Sequence, residues 1–600
     1  MNRARCNSNG PVTVADLIVT RIARHSSHLF GVGGANIEDI YDAVERGPSG
    51  FTGVVAKHEF GAATMADGYA RTTNRLGVVA ATSGGGALNL LAGLGESFDS
   101  RVPVLALVGQ PPTTLEGRGA FQDTSGAPGR LDAERLFGAV ARHCERVSDP
   151  TNTVAALDRA IDSAYGGGPA VLLLPKDIQT ATAAPESPVP ERERPVDSPL
   201  IATLDTALAL SDSVVAAAHH PPTIDHAAVT LLREASGRTV IIAGPEIARA
   251  NTRAELKIFA EALGAPVLVT PDARDTFPNT HSGFAGVVGI MGHRNAPDLL
   301  AAAEVVVLVG TTLPLTARAG LDAILPQARV LHLGMESPFV HTDFQLRAPL
   351  ARTLTDLAAR VGTGHSDSAS TGASAVPKRA EDAGGGAHPA AIDAHRRPVE
   401  LDVPPAAGPG IRYREAVSAI AKWLAPGTDV VVDAGNTGAA VVHYLPVAED
   451  GRFVIALGMG GMGYAFGAGV GSALGRRRRT CVIAGDGAYL MHGHEVHTAV
   501  EYHVPVTFVV FNNNAHAMCV TREQLYFSGE YTFNRFAPAQ LGAGVAATYP
   551  SLPTCIATTL AELKDALDRT REASGPVFLE VVCDPDEIPP FAPFLKELTA

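Results

Sequence analysis

The sequence predicts an α/β protein built of three doubly wound parallel-sheet domains, and three observations point that way. Short apolar runs rich in β-branched residues alternate with amphipathic helical patterns along most of the chain. Such runs read as buried strands joined by right-handed crossover helices. Two stretches of different composition interrupt the alternation: Thr180 to Pro199, rich in Pro, Glu and Arg, and Gly364 to Gly408, rich in Ala, Gly, Ser, Pro and His. Finally, 600 residues exceed what one hydrophobic core can organise.

In chain order, residues 1 to about 12 are polar and expected to be loose. A first domain, residues 12–180, shows helical patterns at Val14 to Ala23, Asn36 to Val44, Gly61 to Ala70 and Leu88 to Ser97. Its strand signals are Phe51 to Ala56, Gly77 to Ala81, Val102 to Val108 and Ala170 to Leu174. A second domain, residues 200–362, has strands at Thr239 to Ala243, Pro266 to Thr270, Val305 to Val309 and Val330 to Leu333. The turns Gly244-Pro245 and Gly310-Thr311-Thr312 stand at strand ends, where a nucleotide or flavin could bind and where plain loops are more usual. Residues 363–409 are too poor in large apolar side chains to fold alone and read as a linker. The third domain covers residues 410–590.

Composition bounds the function. A net charge of −14, from 62 acidic against 48 basic residues, argues against nucleic-acid or membrane-surface partners. The one basic run, Arg476 to Arg479, reads most simply as a solvated loop. Six scattered cysteines fit a reducing cytoplasm rather than a disulfide framework or zinc site. The first residues lack the apolar core of a signal peptide, and no apolar run reaches membrane length, so a soluble cytoplasmic protein is expected.

The chemistry concentrates between Cys481 and Cys519. The run Val482 to Ala484 stops at Gly485-Asp486-Gly487, and the run Val504 to Phe511 stops at Asn512-Asn513-Asn514. Between them Leu490, Met491, Val496, Ala499 and Val500 give one amphipathic helical pattern. Parallel strands end on one edge of a sheet, so Asp486 and Asn513 are expected side by side although 27 residues separate them. Two side-chain oxygens at one point suit a hard cation such as Mg2+, which fills its shell with waters and phosphate oxygens. Gly485 and Gly487 let the backbone approach a diphosphate, and the following helix aims its N-terminus there. Gly-Asp-Gly alone is also an ordinary turn. A zinc-protease reading of His494-Glu495-Val496-His497 fails, because its histidines are three apart rather than four.

At this spacing from the double Asn, the stretch resembles the thiamine diphosphate signature of the acetolactate synthase and pyruvate decarboxylase superfamily. The resemblance extends to the first domain, in Lys57-His58-Glu59-Phe60-Gly61-Ala62 and Ala81-Thr82-Ser83-Gly84-Gly85-Gly86-Ala87-Leu88-Asn89. Gly109-Gln110, Phe121-Gln122-Asp123, Gly168-Pro169, Pro175-Lys176-Asp177 and Gly458 to Gly467 match in the same order. The three domains are then, by resemblance, pyrimidine-binding, central and diphosphate-binding. The resemblance implies that Asp486, the Asn513 side chain and the Ala515 carbonyl bind the metal. It implies that Glu59 holds the aminopyrimidine nitrogen of the cofactor and activates it, a task suited to a proton-sharing carboxyl. Met462 falls where the family props the cofactor in its bent form, and Gly435, Asn436, Thr437, Gly460, Gly485, Gly487 and Ala488 complete the cofactor contacts. Phe121 and Gln122 fall on the substrate side. Taken alone, Glu59 is an acid favoured at a helix N-terminus and Met462 is a core filler.

Departures from the family bear on substrate. Asn436-Thr437 replaces the common Gln-His, and Arg522, four residues past Met518, stands where a Trp often shapes the acceptor pocket. Arg522 could grip an anionic acceptor or point into water. His516 could assist proton transfer or only pack. Thr311-Thr312-Leu313-Pro314 replaces the Arg-rich stretch often seen near a flavin, so FAD is not favoured. The resemblance implies a thiamine diphosphate and Mg2+ dependent carboligase joining a 2-oxo acid to a carbonyl acceptor. A 2-oxo-acid decarboxylase or lyase and a flavin-linked oxidase are the alternatives. Family members build the site from two chains, so a homodimer or homotetramer is expected.

Overall fold

The computed structural model describes residues 11–183, 226–362, 392–393, 397–529 and 533–599. Residues 1–10, nearly all of the 180–199 stretch and most of 364–408 lie outside the described residues. Within the described residues are three six-stranded sheets in which every strand pair is parallel. The expected three doubly wound α/β sheets are therefore present.

The first sheet comprises β1 His28–Gly31, β2 Thr52–Val55, β3 Gly77–Ala81, β4 Val104–Gln110, β5 His143–Arg146 and β6 Pro169–Pro175, in the order β2-β1-β3-β4-β6-β5. The central sheet comprises β7 Thr239–Ala243, β8 Val267–Val269, β9 Phe284–Val287, β10 Val305–Val309, β11 Arg329–Leu333 and β12 Phe344–Leu346, in the order β12-β11-β10-β7-β8-β9. The third comprises β13 Asp429–Val432, β14 Phe453–Ile455, β15 Thr480–Gly485, β16 Val506–Asn512, β17 Thr554–Ala557 and β18 Val577–Val582, in the order β14-β13-β15-β16-β18-β17. The first and third sheets share one topology. The central strands β3, β4, β7, β10 and β16 are buried along their whole length, as strands covered by helices on both faces must be.

The described residues form two compact units, one holding the first and third sheets and the other holding the central sheet with residues 439–449 and 588–599. In the first unit one of two hydrophobic core clusters runs continuously from Phe30 and Phe60 to Phe466 and Phe508. The helices Glu59–Thr73 and Tyr464–Arg476 cross there at backbone contact. A β-carbon on Gly471 would collide with the Met65 carbonyl, and one on Gly68 with the Ala468 main chain. Glycine at these positions is what lets the two layers touch.

In the central unit, Arg274 is buried and donates to the Leu445 carbonyl, and burial holds its guanidinium down to about 10. His293 and His443 stack at 4.7 Å, and His443 bonds the Met291 carbonyl and the Leu401 N–H. At the end of β7, Glu246 accepts the Met335 N–H at 3.2 Å, so a carboxylate already occupies a main-chain donor beside the Gly310 turn.

Two expectations need correction. The segment after β15 is two helices, Asp486–His492 and Glu495–Glu501, broken at Gly493-His494. Glu495 turns inward to accept the Lys57 and His58 N–H groups, so the register restarts, and Leu490 and Met491 are 55% and 47% exposed rather than on the buried face. The arginine run is not simply solvated. Arg476 pairs with buried Asp429 at 3.0 Å and Arg479 bonds Thr507 and the Gly575 carbonyl, leaving only Arg477 and Arg478 exposed. No described helix is long and apolar enough to cross a membrane.

Candidate active site

The strand order of the third sheet reverses between β13 and β15, and ligands of doubly wound sheets bind in the crevice such a reversal opens. Gly485 pairs with Phe511 across β15 and β16, so Asp486 and Asn513 emerge together. Asp486 Oδ2 and Asn513 Oδ1 each accept the Ala515 N–H at 3.1 Å. Two side-chain oxygens therefore face one point, as the parallel pairing predicts.

Each neighbour of Asn513 does something else. Asn512 donates to Glu580 and the Ala539 carbonyl, and Asn514 takes a left-handed φ of 54° and accepts the Ala539 N–H. Asn513 Nδ2 donates to the Tyr413 hydroxyl at 3.2 Å, which fixes the amide with Oδ1 towards Asp486. Ala515 forms an antiparallel bridge with Arg535, carried by His516 N–H to Asn534 and Phe536 N–H to Asn514. That pattern turns the N–H and C=O of Ala515 away from Arg535, to the side of Asp486.

Asp486 is 3% exposed, and no Lys, Arg or His pairs with it among the described residues. Burial pushes its carboxyl up to about 6 against the opposing N–H bonds of Gly487 and Ala515. A buried carboxylate without a cation is costly, and a bound cation would remove the cost. Asn436, first residue of the helix Asn436–Tyr444, is 4% exposed, and neither its Nδ2 nor its Oδ1 has a partner among the described residues. Thr437 Oγ1 lies 3.8 Å from where a β-carbon on Gly485 would stand, so this helix start adjoins that of Asp486. Gly435 and Gly460 take φ of 103° and 65°, and a side chain on either would meet open space. The set could hold a metal and an anion: acceptor oxygens at one point, and helix starts and open glycines around it.

Met462 stands against Gly487, its Cε 3.4 Å from a β-carbon placed there, and the His516 ring covers the same glycine. Ala488 is buried in the first turn of the helix that Asp486 begins. His516 packs edge-on to Phe536, its Nδ1 lacks a partner among the described residues, and burial lowers its pKa. Asp433 receives N–H bonds from Gly463 at 3.0 Å and Ala465 at 2.9 Å, fixing the end of the Met462 loop.

Glu59 opens the helix Glu59–Thr73 and is buried. Its Oε2 accepts from Asn89 Nδ2 at 2.9 Å, and its Oε1 stands beside Gly86. Gln122, at φ 57°, accepts the Thr82 hydroxyl at 3.4 Å and packs on Gly84, which brings it to the same glycine-rich turn. Next to Glu59, the Phe60 ring stacks on His492 at 4.3 Å and lies 3.6 Å from a β-carbon placed on Gly461. The Glu59 layer and the Asp486 layer thus meet within one chain. Phe121 is 77% exposed, Arg522 is exposed on the helix Ala517–Tyr526 and Met518 is half-buried, so these three are not drawn into the cluster.

Sequence reasoning gave no role to Tyr413, Asp433, Asn89, Glu96 or Glu495. Glu495 bonds the Lys57 and His58 N–H groups that lead into Glu59, and burial raises its pKa. Asn89, in the quoted Ala81 to Asn89 run, carried the nearest signal. The others act across gaps of tens to hundreds of residues.

Three family models match in order: the N-terminal TPP binding domain of thiamine pyrophosphate enzymes over residues 12–127, their central domain over 226–360 and their C-terminal TPP binding domain over 433–581. The chain belongs to the thiamine pyrophosphate enzymes. Among relatives of this thiamine pyrophosphate enzyme, the acetolactate synthase large subunit of Corynebacterium glutamicum is 26% identical over 88% of this chain and 80% of its own. The sulfoacetaldehyde acetyltransferase of Castellaniella defragrans is 29% identical over 83% and 80%. The thiamine diphosphate-dependent 4-hydroxybenzoylformate decarboxylase of Rhodococcus jostii RHA1 superimposes with a TM-score of 0.74 at 20% identity, over 96% of this chain and 99% of that one. That likeness speaks for the fold alone.

Proposed function

We propose that this thiamine pyrophosphate enzyme is a Mg2+-dependent carboligase that decarboxylates a 2-oxo acid and transfers the acyl-anion equivalent to a second carbonyl. The supporting observation is the convergence of Asp486 and Asn513 on one N–H, beside the partnerless Asn436 and the Met462 loop, with Glu59 on the facing layer. These residues fit the diphosphate and its cation. Asp486, Asn513 and the Ala515 carbonyl would hold the metal, and Gly435, Asn436, Thr437, Gly460, Gly485, Gly487 and Ala488 would line the rest of the cofactor. Bound thiamine diphosphate supplies the electron sink that makes decarboxylation and carbonyl addition feasible.

The protein's part is orientation and proton traffic. Glu59, held by Asn89, would hold and exchange a proton at the aminopyrimidine nitrogen of a bound cofactor. Met462, against Gly487, would support the cofactor from below. Gln122 would lie on the substrate side, and Phe121, Met518 and Arg522, which stand outside the cluster, are the remaining candidates for substrate and acceptor contact. The carboligase assignment draws on two relatives, one named for the synthesis of acetolactate and the other for acetyl transfer.

A second reading, a 2-oxo-acid decarboxylase, is favoured by His516, whose Nδ1 lacks a partner among the described residues beside Met462 and could deliver a proton in place of a carbonyl acceptor. Mass spectrometry of products from a panel of 2-oxo acids and aldehydes separates them. A 2-hydroxy-3-oxo acid or acyloin supports ligation, and aldehyde alone supports the second reading. The expected homodimer or homotetramer is read by sedimentation of the holoenzyme.

A further inference from the structure

Met462 sits in a six-residue segment, Gly458 to Gly463, in which four residues are glycine. Glycine loses more backbone freedom on ordering than any other residue, so this segment has no stiffness of its own and must be held from outside. Its C-terminal end is held by Asp433. Its N-terminal end is held by the first-sheet layer: Glu96 Oε2 accepts the Met459 N–H at 2.7 Å and Oε1 faces the Gly458 N–H at 3.4 Å.

Glu96 is 2% exposed on the helix Gly85–Asp99. Arg71 donates to it at 3.0 Å and Ser100 at 2.7 Å. Arg71 is also tied to Asp67 at 2.6 Å, Ser97 donates to Asp67 at 2.7 Å, and the Tyr464 hydroxyl donates to Asp67 as well. Burial pushes the Glu96 carboxyl up, but Arg71 and the Met459 N–H outweigh it and hold it below its ordinary value. The same helix carries Asn89, which holds Glu59. One rigid element therefore fixes both the Glu59 carboxyl and the segment bearing Met462.

We propose that Glu96 is a positioning residue, whose carboxylate sets the Met462 segment against the first-sheet layer. This rests on the thiamine diphosphate reading above, but its first test needs no cofactor. In cofactor-free Glu96→Gln, amide hydrogen exchange at Gly460, Gly461 and Met462, which Glu96 does not touch, should rise about tenfold or more while the helices Glu59–Thr73 and Tyr464–Arg476 keep their protection. Exchange there within about twofold of wild type, or a rise spread equally over both helices, overturns the proposal, since a carboxylate that only joined the layers would loosen all of them.

In the loaded enzyme, C2 proton exchange per bound cofactor should fall about tenfold with Mg2+-thiamine diphosphate affinity within about threefold. Unchanged C2 exchange refutes the role. If Glu96→Gln does not fold, Ser100→Ala removes one hydrogen bond to the same carboxylate and should raise segment exchange about threefold, with no rise refuting the proposal. Wild-type protein that binds no thiamine diphosphate would refute the reading above and leave the amide-exchange result standing.

Discussion

Replacing Glu59 by Gln separates the chemistry of this carboxyl from its packing. The two side chains have nearly the same volume, and the introduced amide can still offer its oxygen to Asn89 Nδ2, now 2.9 Å from Glu59 Oε2. The amide nitrogen would take the space that Oε1 fills beside Gly86. Fold stability should therefore change by no more than about 1 kcal/mol. What is lost is the ability to pass a proton, and positioned acid–base groups contribute roughly 10²- to 10⁴-fold. That corresponds to about 3–5 kcal/mol of barrier at about 1.4 kcal/mol per decade. The assay is quenched deuterium exchange at C2 of bound thiamine diphosphate, followed by NMR, with cofactor occupancy measured on the same sample. Exchange within about threefold of wild type at full occupancy would refute the assignment, because the expected loss is at least about a hundredfold.

Three further outcomes follow from contacts already described. Tyr413→Phe removes the hydroxyl that fixes the Asn513 amide and should raise the Mg2+ concentration needed for half-maximal activity about 10- to 100-fold, with the melting temperature little changed. Gly471→Ala drives a methyl into the Met65 carbonyl and should cost about 1–3 kcal/mol in denaturant unfolding, with a neutral result arguing against the tight crossing of the two helices. Burial holds His443 down at about 4 from its ordinary 6.5, with the Met291 carbonyl opposing it, and lowers His293 too. The unfolded chain therefore takes up protons that the folded chain refuses. Stability should fall as pH drops from about 6.5 towards 4, by on the order of 3 kcal/mol for His443 alone. Thermal unfolding of His443→Gln should show a shallower loss over that window.

The parts of this molecule that one strand–helix–strand unit determines were legible in the sequence. Asp486 and Asn513 could be placed together because apolar runs ending at Gly-Asp-Gly and at an Asn run mark the same edge of a parallel sheet. β3, β7 and β10 matched their apolar runs residue for residue, since strands buried on both faces leave the plainest signal. β5, His143–Arg146, and β12, Phe344–Leu346, went unseen because they are short edge strands with half-exposed, mixed side chains. The break at Gly493 was hidden because Leu490 and Met491 extend the apolar pattern although solvent faces them. Glu96 and Tyr413 could not be read at all, and Glu495 was only matched to a family Glu on its helix, with no role. Each is an ordinary residue in its local context and acquires its task only when a distant segment offers it an N–H or an amide.

The most direct test is calorimetric titration of the purified protein with thiamine diphosphate, with and without Mg2+, in wild type and in Asp486→Ala. Saturable binding that requires Mg2+ in wild type and disappears in Asp486→Ala is the predicted result. Cofactor binding that survives the substitution undiminished would contradict a metal held between Asp486 and Asn513.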